Sequence, residues 1–265
     1  MHLFRVVLSY GCLYCFVFLT GCGNTAAPTS APTADSSAPE TVESTEEIVA
    51  SGESTPTSEP VDPQAEVKAV FQKLIANRTE PDPSEWETAD KQLIAFGKTA
   101  VPTLSEGLSS SDPGERELAS MYLASLGPEA KAAAPALAEV LKDESPFTRV
   151  NAASTLTHFP EYRDQAIPVL LALTTHDDPN TRLTAVYSLG NLEEHSEEQL
   201  KALKVALNDS HSEVQLAAVK ILGQIGVPAK ETLTELQSLI DDSETSETLR
   251  EAALSSRKQI EESRK

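Results

Sequence analysis

The chain has 265 residues, a formal net charge of −20 and 40% hydrophobic residues, of which few are aromatic. That is enough apolar material for a large core made of Leu, Val, Ile and Ala, a mix that suits stacked helices. So acidic a chain is a poor match for phosphate backbones or anionic head groups, so no nucleic-acid partner is expected.

The chain opens with a run of 14 mostly apolar positions, residues 6–19, preceded by Arg5. A bilayer span needs about 20 residues, so the run predicts the apolar stretch of a signal peptide rather than a membrane helix. It ends in Leu19-Thr20-Gly21-Cys22, which resembles a bacterial lipobox. The resemblance implies cleavage after Gly21, leaving a signal peptide over 1–21, and a diacylglyceryl group on the thiol of Cys22. Two or more acyl chains hold a protein stably on a membrane. Gly23 follows rather than Asp, which by the same resemblance implies transfer to the outer membrane, with the rest of the chain in the periplasm. Cys12 and Cys15 would leave with the signal, so the mature chain is expected to hold neither a free thiol nor a disulfide.

After Cys22, residues 23–63 are almost all Thr, Ser, Ala, Pro and Glu, with eight acidic residues and no Lys or Arg. Such a segment lacks the apolar surface to fold alone. It predicts a disordered tether over 22–63 whose 41 coil-like residues would span about 35 Å on average, holding the rest of the chain off the membrane.

The remaining residues, 64–265, carry a repeat. Leu104, Leu137, Leu170, Leu203 and Leu236 stand 33 residues apart without a break, and so do Leu123, Leu156, Leu189 and Leu222. Pro102, Pro135 and Pro168 share the period, as do Ala119, Ala152, Ala185 and Ala218. An arginine column runs Arg116, Arg149, Arg182 and then lapses to Gln215. Each period reads as two helices. The first opens at the proline with apolar residues three and four apart, as in Leu137, Val140 and Leu141. The second follows a polar turn and starts at Asp112-Pro113, Ser145-Pro146 or Asp178-Pro179, where the side chain caps the helix and proline suits its first position. It then reads Arg-x-x-Ala-x-x-x-Leu, the small Ala allowing close helix approach and the Leu filling the seam. Gly127-Pro128 and Gly226-Val227-Pro228 close their units.

These residues resemble HEAT repeats in the short variant named after phycobilin lyases: Pro-x-Leu, an Asp, then Arg-x-x-Ala-x-x-x-Leu-Gly. The resemblance implies an all-α fold, a right-handed α-solenoid of about six two-helix units. It covers residues 100–231 well and the flanks loosely. The Thr-Pro-Leu-His signature of ankyrin repeats and the Trp-to-Tyr spacing of tetratricopeptide repeats are both missing.

The end units depart from the pattern as caps do. The first sets Val67, Val70, Phe71, Leu74 and Ile75 on one face, and places Trp86 where it packs the cap. The last lengthens its turn through residues 241–247 and finishes in polar residues.

Nothing in the chain reads as catalytic machinery. The four histidines after Cys22 (His158, His176, His195, His211) fall in different units or turns, without metal-ligand spacing, and no Gly-rich phosphate loop occurs. No enzyme activity, cofactor or metal is expected. The arginine column is expected to pair with the Asp of a neighbouring turn and stitch units together.

In the second helix Ala119, Leu123 and Leu126 mark the buried stripe, so at about 100° per residue positions 117, 121 and 125 point away. In HEAT-like stacks that side lines the concave surface. At a period of 33 it presents Met121, Ser154, Tyr187 and Lys220 as one ladder, and Ser125, His158, Asn191 and Gln224 as another. Most of these are uncharged, as the core of a protein interface tends to be. The function expected is a membrane-anchored envelope scaffold or adaptor that binds a protein or peptide partner on these ladders. The alternative, carried by the lyase resemblance alone, is an accessory or chromophore-lyase-like protein handling a small molecule.

Overall fold

A computed structural model describes residues 62–263. The signal peptide over 1–21, Cys22 and the tether up to residue 61 lie outside the described residues. Asp62 and Pro63, assigned to the tether by composition, are the N-cap and first residue of the first helix. Asp-Pro is the start signal that the later units also use.

The described residues form twelve α-helices in six pairs, with no strand among them. The pairs are α1 (Pro63–Asn77) with α2 (Pro83–Phe96), α3 (Val101–Gly107) with α4 (Pro113–Leu126), and α5 (Ala134–Glu139) with α6 (Pro146–Leu156). They continue as α7 (Arg163–Leu173) with α8 (Pro179–Gly190), α9 (Glu197–Ala206) with α10 (Ser212–Ile225), and α11 (Leu233–Asp241) with α12 (Glu247–Glu262). The second helices stack on one another, α4 on α6, α6 on α8, α8 on α10 and α10 on α12, whereas neighbouring first helices touch less. The second helices are therefore the more closely packed layer of the stack.

The repeated residues make the core. Every Leu of both columns and every Ala of the alanine column is fully buried, and each Leu so removed from water stabilises the fold by about 1.5–3 kcal/mol. The caps match expectation: Asp112 accepts from the Gly114 N–H, Ser145 from Thr148 and Asp178 from Thr181, each with proline in the first turn. Three glycines in the left-handed region, Gly97, Gly127 and Gly226, end α2, α4 and α10. Trp86 packs against the core of the N-terminal unit.

Two expectations change. Pro168 does not open its helix but lies inside α7, because the segment before it is already α-helical, whereas the residues before Pro102 and Pro135 form 3-10 turns (Gly97–Ala100 and Gly127–Ala133). Position 117 does not point away along the whole stack. Its counterparts Val150 and Leu183 are buried in the core, and Glu117 accepts a hydrogen bond from the Ser145 hydroxyl of the next unit (2.6 Å).

Candidate functional site: the ladders of the second helices

α4, α6, α8 and α10 pack side by side, and the eight expected partner-binding residues recur along them, six within the helices and two, His158 and Asn191, just past the ends of α6 and α8. Ser125, His158, Asn191 and Gln224 are exposed; Met121, Ser154, Tyr187 and Lys220 are half-buried. The two ladders differ in what else they do. Met121 and Tyr187 also pack against the two parts of the core, so they are bound into the stack as well as displayed. In the outer ladder, Ser125 donates to the Tyr122 carbonyl (2.7 Å), and Asn191 is the C-cap residue of α8. His158 lies in the turn after α6 with its ring edge-on to Phe159. Its pKa is lowered, first by the protein packed around the ring and then by the charge of Arg163. It therefore adds no positive charge to the ladder at neutral pH.

The ladders extend one unit further than the 33-residue spacing shows. In the last unit the counterparts of Val214, Ala218 and Ile225 are the buried Leu249, Ala253 and Ile260, so the offset there is 35 residues. This places Ser255 after Lys220 and Gln259 after Gln224, both exposed. The expected lengthened turn is not what shifts the register: the two added residues extend α11 to Asp241, and the turn after it, residues 242–246, is as long as residues 207–211.

The same offset restores the arginine column, with Arg250 as its last member. Each of these arginines holds carbonyls of the turn after its unit's first helix: Arg116 donates to Ser110 O (2.9 Å), Arg149 to Asp143 O (2.7 Å), Arg182 to His176 O (2.7 Å) and Arg250 to Thr245 O (2.9 Å). Two of them also reach forward into the next unit. Arg116 Nε donates to Asp143 (2.6 Å), and Arg182 grips Asp209 with Nε and a second nitrogen, both at 2.7 Å. Arg182 and Asp209 are 10% and 9% exposed. The pairing raises the arginine pKa values and lowers that of Asp209. The column is thus a stitch between units.

Among the described residues no group of three or more His, Cys, Asp or Glu side chains converges as a metal site would require. The two clefts described, of about 540 Å³ around Lys201, Lys204, Val205, Asn208 and Glu235 and about 250 Å³ beside Phe71 and Thr103, contain no ladder residue.

No curated protein matches the chain. Solved structures do, at low identity. The designed armadillo repeat protein YIII(Dq.V1)4CPAF in complex with the peptide (KR)4 is 18% identical at TM-score 0.52, covering 74% of this chain and 99% of that one. An engineered protein from a structural genomics consortium is 20% identical at TM-score 0.53, covering 74% and 98%. The CpcE–CpcF phycocyanin lyase complex of Nostoc sp. PCC7120 is 23% identical over 60% of this chain and 98% of that one, but its TM-score of 0.41 carries no argument. The first two likenesses establish a repeat solenoid. The profile of HEAT repeats matches residues 101–177, 134–211 and 167–258, which together span α3 to α12. The paired helices, the buried Leu and Ala columns and this match place the chain in the HEAT-repeat family.

Proposed function

We propose that this chain is a membrane-anchored scaffold or adaptor of the cell envelope, tethered through Cys22 and holding a protein or peptide partner on the inner face of its solenoid. The observation that carries the reading is the recurrence of uncharged, exposed side chains, Ser125, His158, Asn191 and Gln224, at one repeat position in or just after the last turn of four consecutive second helices. A repeated row of polar contact groups suits an extended polypeptide, whose own groups also recur at fixed spacing. The designed armadillo relative in complex with a peptide supports this use of the fold.

The test places a photoreactive amino acid at Ser125 in intact cells, and at Glu139 on an exposed first-helix position as the control. The Ser125 probe should give a discrete adduct that the Glu139 probe does not. The adduct should disappear when His158, Asn191 and Gln224 are changed together to Ala; all three are exposed, so melting should be unchanged. Tyr187 is left intact because its core packing would confound the result. An undiminished adduct in the folded triple variant, or the same adduct from Glu139, sinks the reading.

A further inference from the structure

At one junction an arginine of the column lacks the carboxylate that its sisters reach in the next unit. The turn position that receives the forward-reaching arginine is occupied by Ser110, Asp143, His176, Asp209 and Asp242 in consecutive units. All five do the same local task, accepting the backbone N–H two residues on: Asp112 to Ser110 (3.2 Å), Ser145 to Asp143 (2.9 Å), Asp178 to His176 Nδ1 (3.1 Å), His211 to Asp209 (2.8 Å) and Glu244 to Asp242 (2.9 Å). In Asp143 and Asp209 the second carboxylate oxygen is left over and takes the Nε of Arg116 or Arg182. His176 has no second acidic oxygen. Its Nδ1 is committed to Asp178, so a neutral ring carries its proton on the other nitrogen and offers no acceptor in place of the carboxylate. Arg149 therefore keeps its grip on its own turn, donating from one nitrogen to Asp143 O and Glu144 O, and among the described residues it makes no ion pair.

We propose that the Nε edge of Arg149 is a binding site for a carboxylate supplied from outside the described fold. The argument is internal to the molecule: two sister units show what this edge ligates when an oxygen pair is in reach, and both times it is a carboxylate. Arg149 is partly buried, and in its sister units a carboxylate reaches the same edge. Guanidinium and carboxylate match as planar two-point partners, which favours this ligand over chloride. The acidic groups around it limit the affinity. Asp143 and Glu144 are both engaged by Arg116. Asp178 caps α8. Asp177 is exposed and stands where Glu144 stands one unit earlier.

The experiment titrates the chain with sodium acetate at constant ionic strength, following the arginine Nε–H resonances by NMR. Arg149 should shift saturably while Arg116 and Arg182, already paired, stay still. A blocked glutamate peptide at equal carboxylate concentration separates the sources: tighter binding than acetate assigns the site to a polypeptide carboxylate, equal binding to small organic acids. His176→Asp supplies the missing oxygen in place. It should abolish the acetate shift and raise the melting midpoint by about 2–4 °C, the scale of one extra stitch in a domain of this size. The proposal falls if Arg149 does not shift, if all arginines shift alike, or if the His176→Asp variant still responds. It falls equally if Asp177→Asn is needed before Arg149 responds, since Asp177 would then be the occupant.

Discussion

Arginine at the head of a second helix meets two kinds of oxygen, and the difference decides what each contact contributes. Carbonyls of its own turn lie beyond the end of the first helix, so binding them fixes the turn between the two helices. The carboxylate of the next turn belongs to another unit, so binding it ties units together. Arg182–Asp209 does both under cover, and removing one partner strands the other in a poorly solvated place. Arg182→Ala is therefore expected to cost about 3–5 kcal/mol, far more than an exposed pair. The pH dependence has a definite sign. Asp209 is held below the ordinary carboxylate value first by its hydrogen bond to Arg182. Its stabilisation is thus complete above the unfolded-state pKa of about 3.9 and is lost as pH falls through the lower folded value. Thermal melts should show a wide gap between wild type and Arg182→Ala at pH 7 that narrows below pH 4; a gap independent of pH would assign the loss to packing alone. The pairing itself was legible in sequence, because Arg and Asp recur 27 residues apart. The gap at His176 was not, since only geometry shows that Arg149 keeps its carbonyls and lacks the carboxylate.

Helix ends and close approaches carry the next level. Pattern gave the helix pairs because one Leu in each helix of a repeating unit is fully buried, and it gave the starts because Asp-Pro and Ser-Pro cap at the first turn. It misplaced Pro168, since whether the preceding segment winds as 3-10 or α depends on tertiary packing that a proline does not encode. It lost the last unit's register, since two residues added at the end of α11 shift every later position without altering the helix period. It also missed where helices nearly touch. Gly190, the last residue of α8, lies under Ile221 of α10, and a Cβ there would sit 2.5–2.8 Å from that side chain. Gly190→Ala should destabilise by about 1–3 kcal/mol through overpacking, with little return from helix propensity at a terminal position. Combining it with Ile221→Ala should cost less than the sum of the single changes, because the smaller side chain removes the clash. Denaturant titration of the four proteins checks this; strict additivity would mean that the helices move apart instead.

At the scale of the whole molecule, the parts separate by composition. The repeat domain has its apolar residues at fixed positions and buries them, whereas residues 23–61 carry few, the composition expected of a spacer. The solenoid was legible because each repeated Leu and Ala column is one buried contact. The partner was not, because a ladder of Ser, His, Asn and Gln states what kind of surface is offered but not what fills it. Among the described residues no helix is long and apolar enough to cross a membrane, and the proposed function assigns attachment to Cys22. This gives a prediction with two readouts that must move independently. Cells fed labelled palmitate should incorporate it into the wild-type chain, and the Cys22→Ser variant should carry none, since only the thiol can accept the diacylglyceryl group. The variant's melting midpoint should equal that of the wild type, because Cys22 stands 40 residues before Asp62, the first residue that contributes a hydrogen bond to the described fold. Label retained by Cys22→Ser, or absent from the wild type, would remove the anchor from the proposed function. A lowered midpoint would instead mean that the segment before Asp62 packs on the solenoid, and that it acts as more than a spacer.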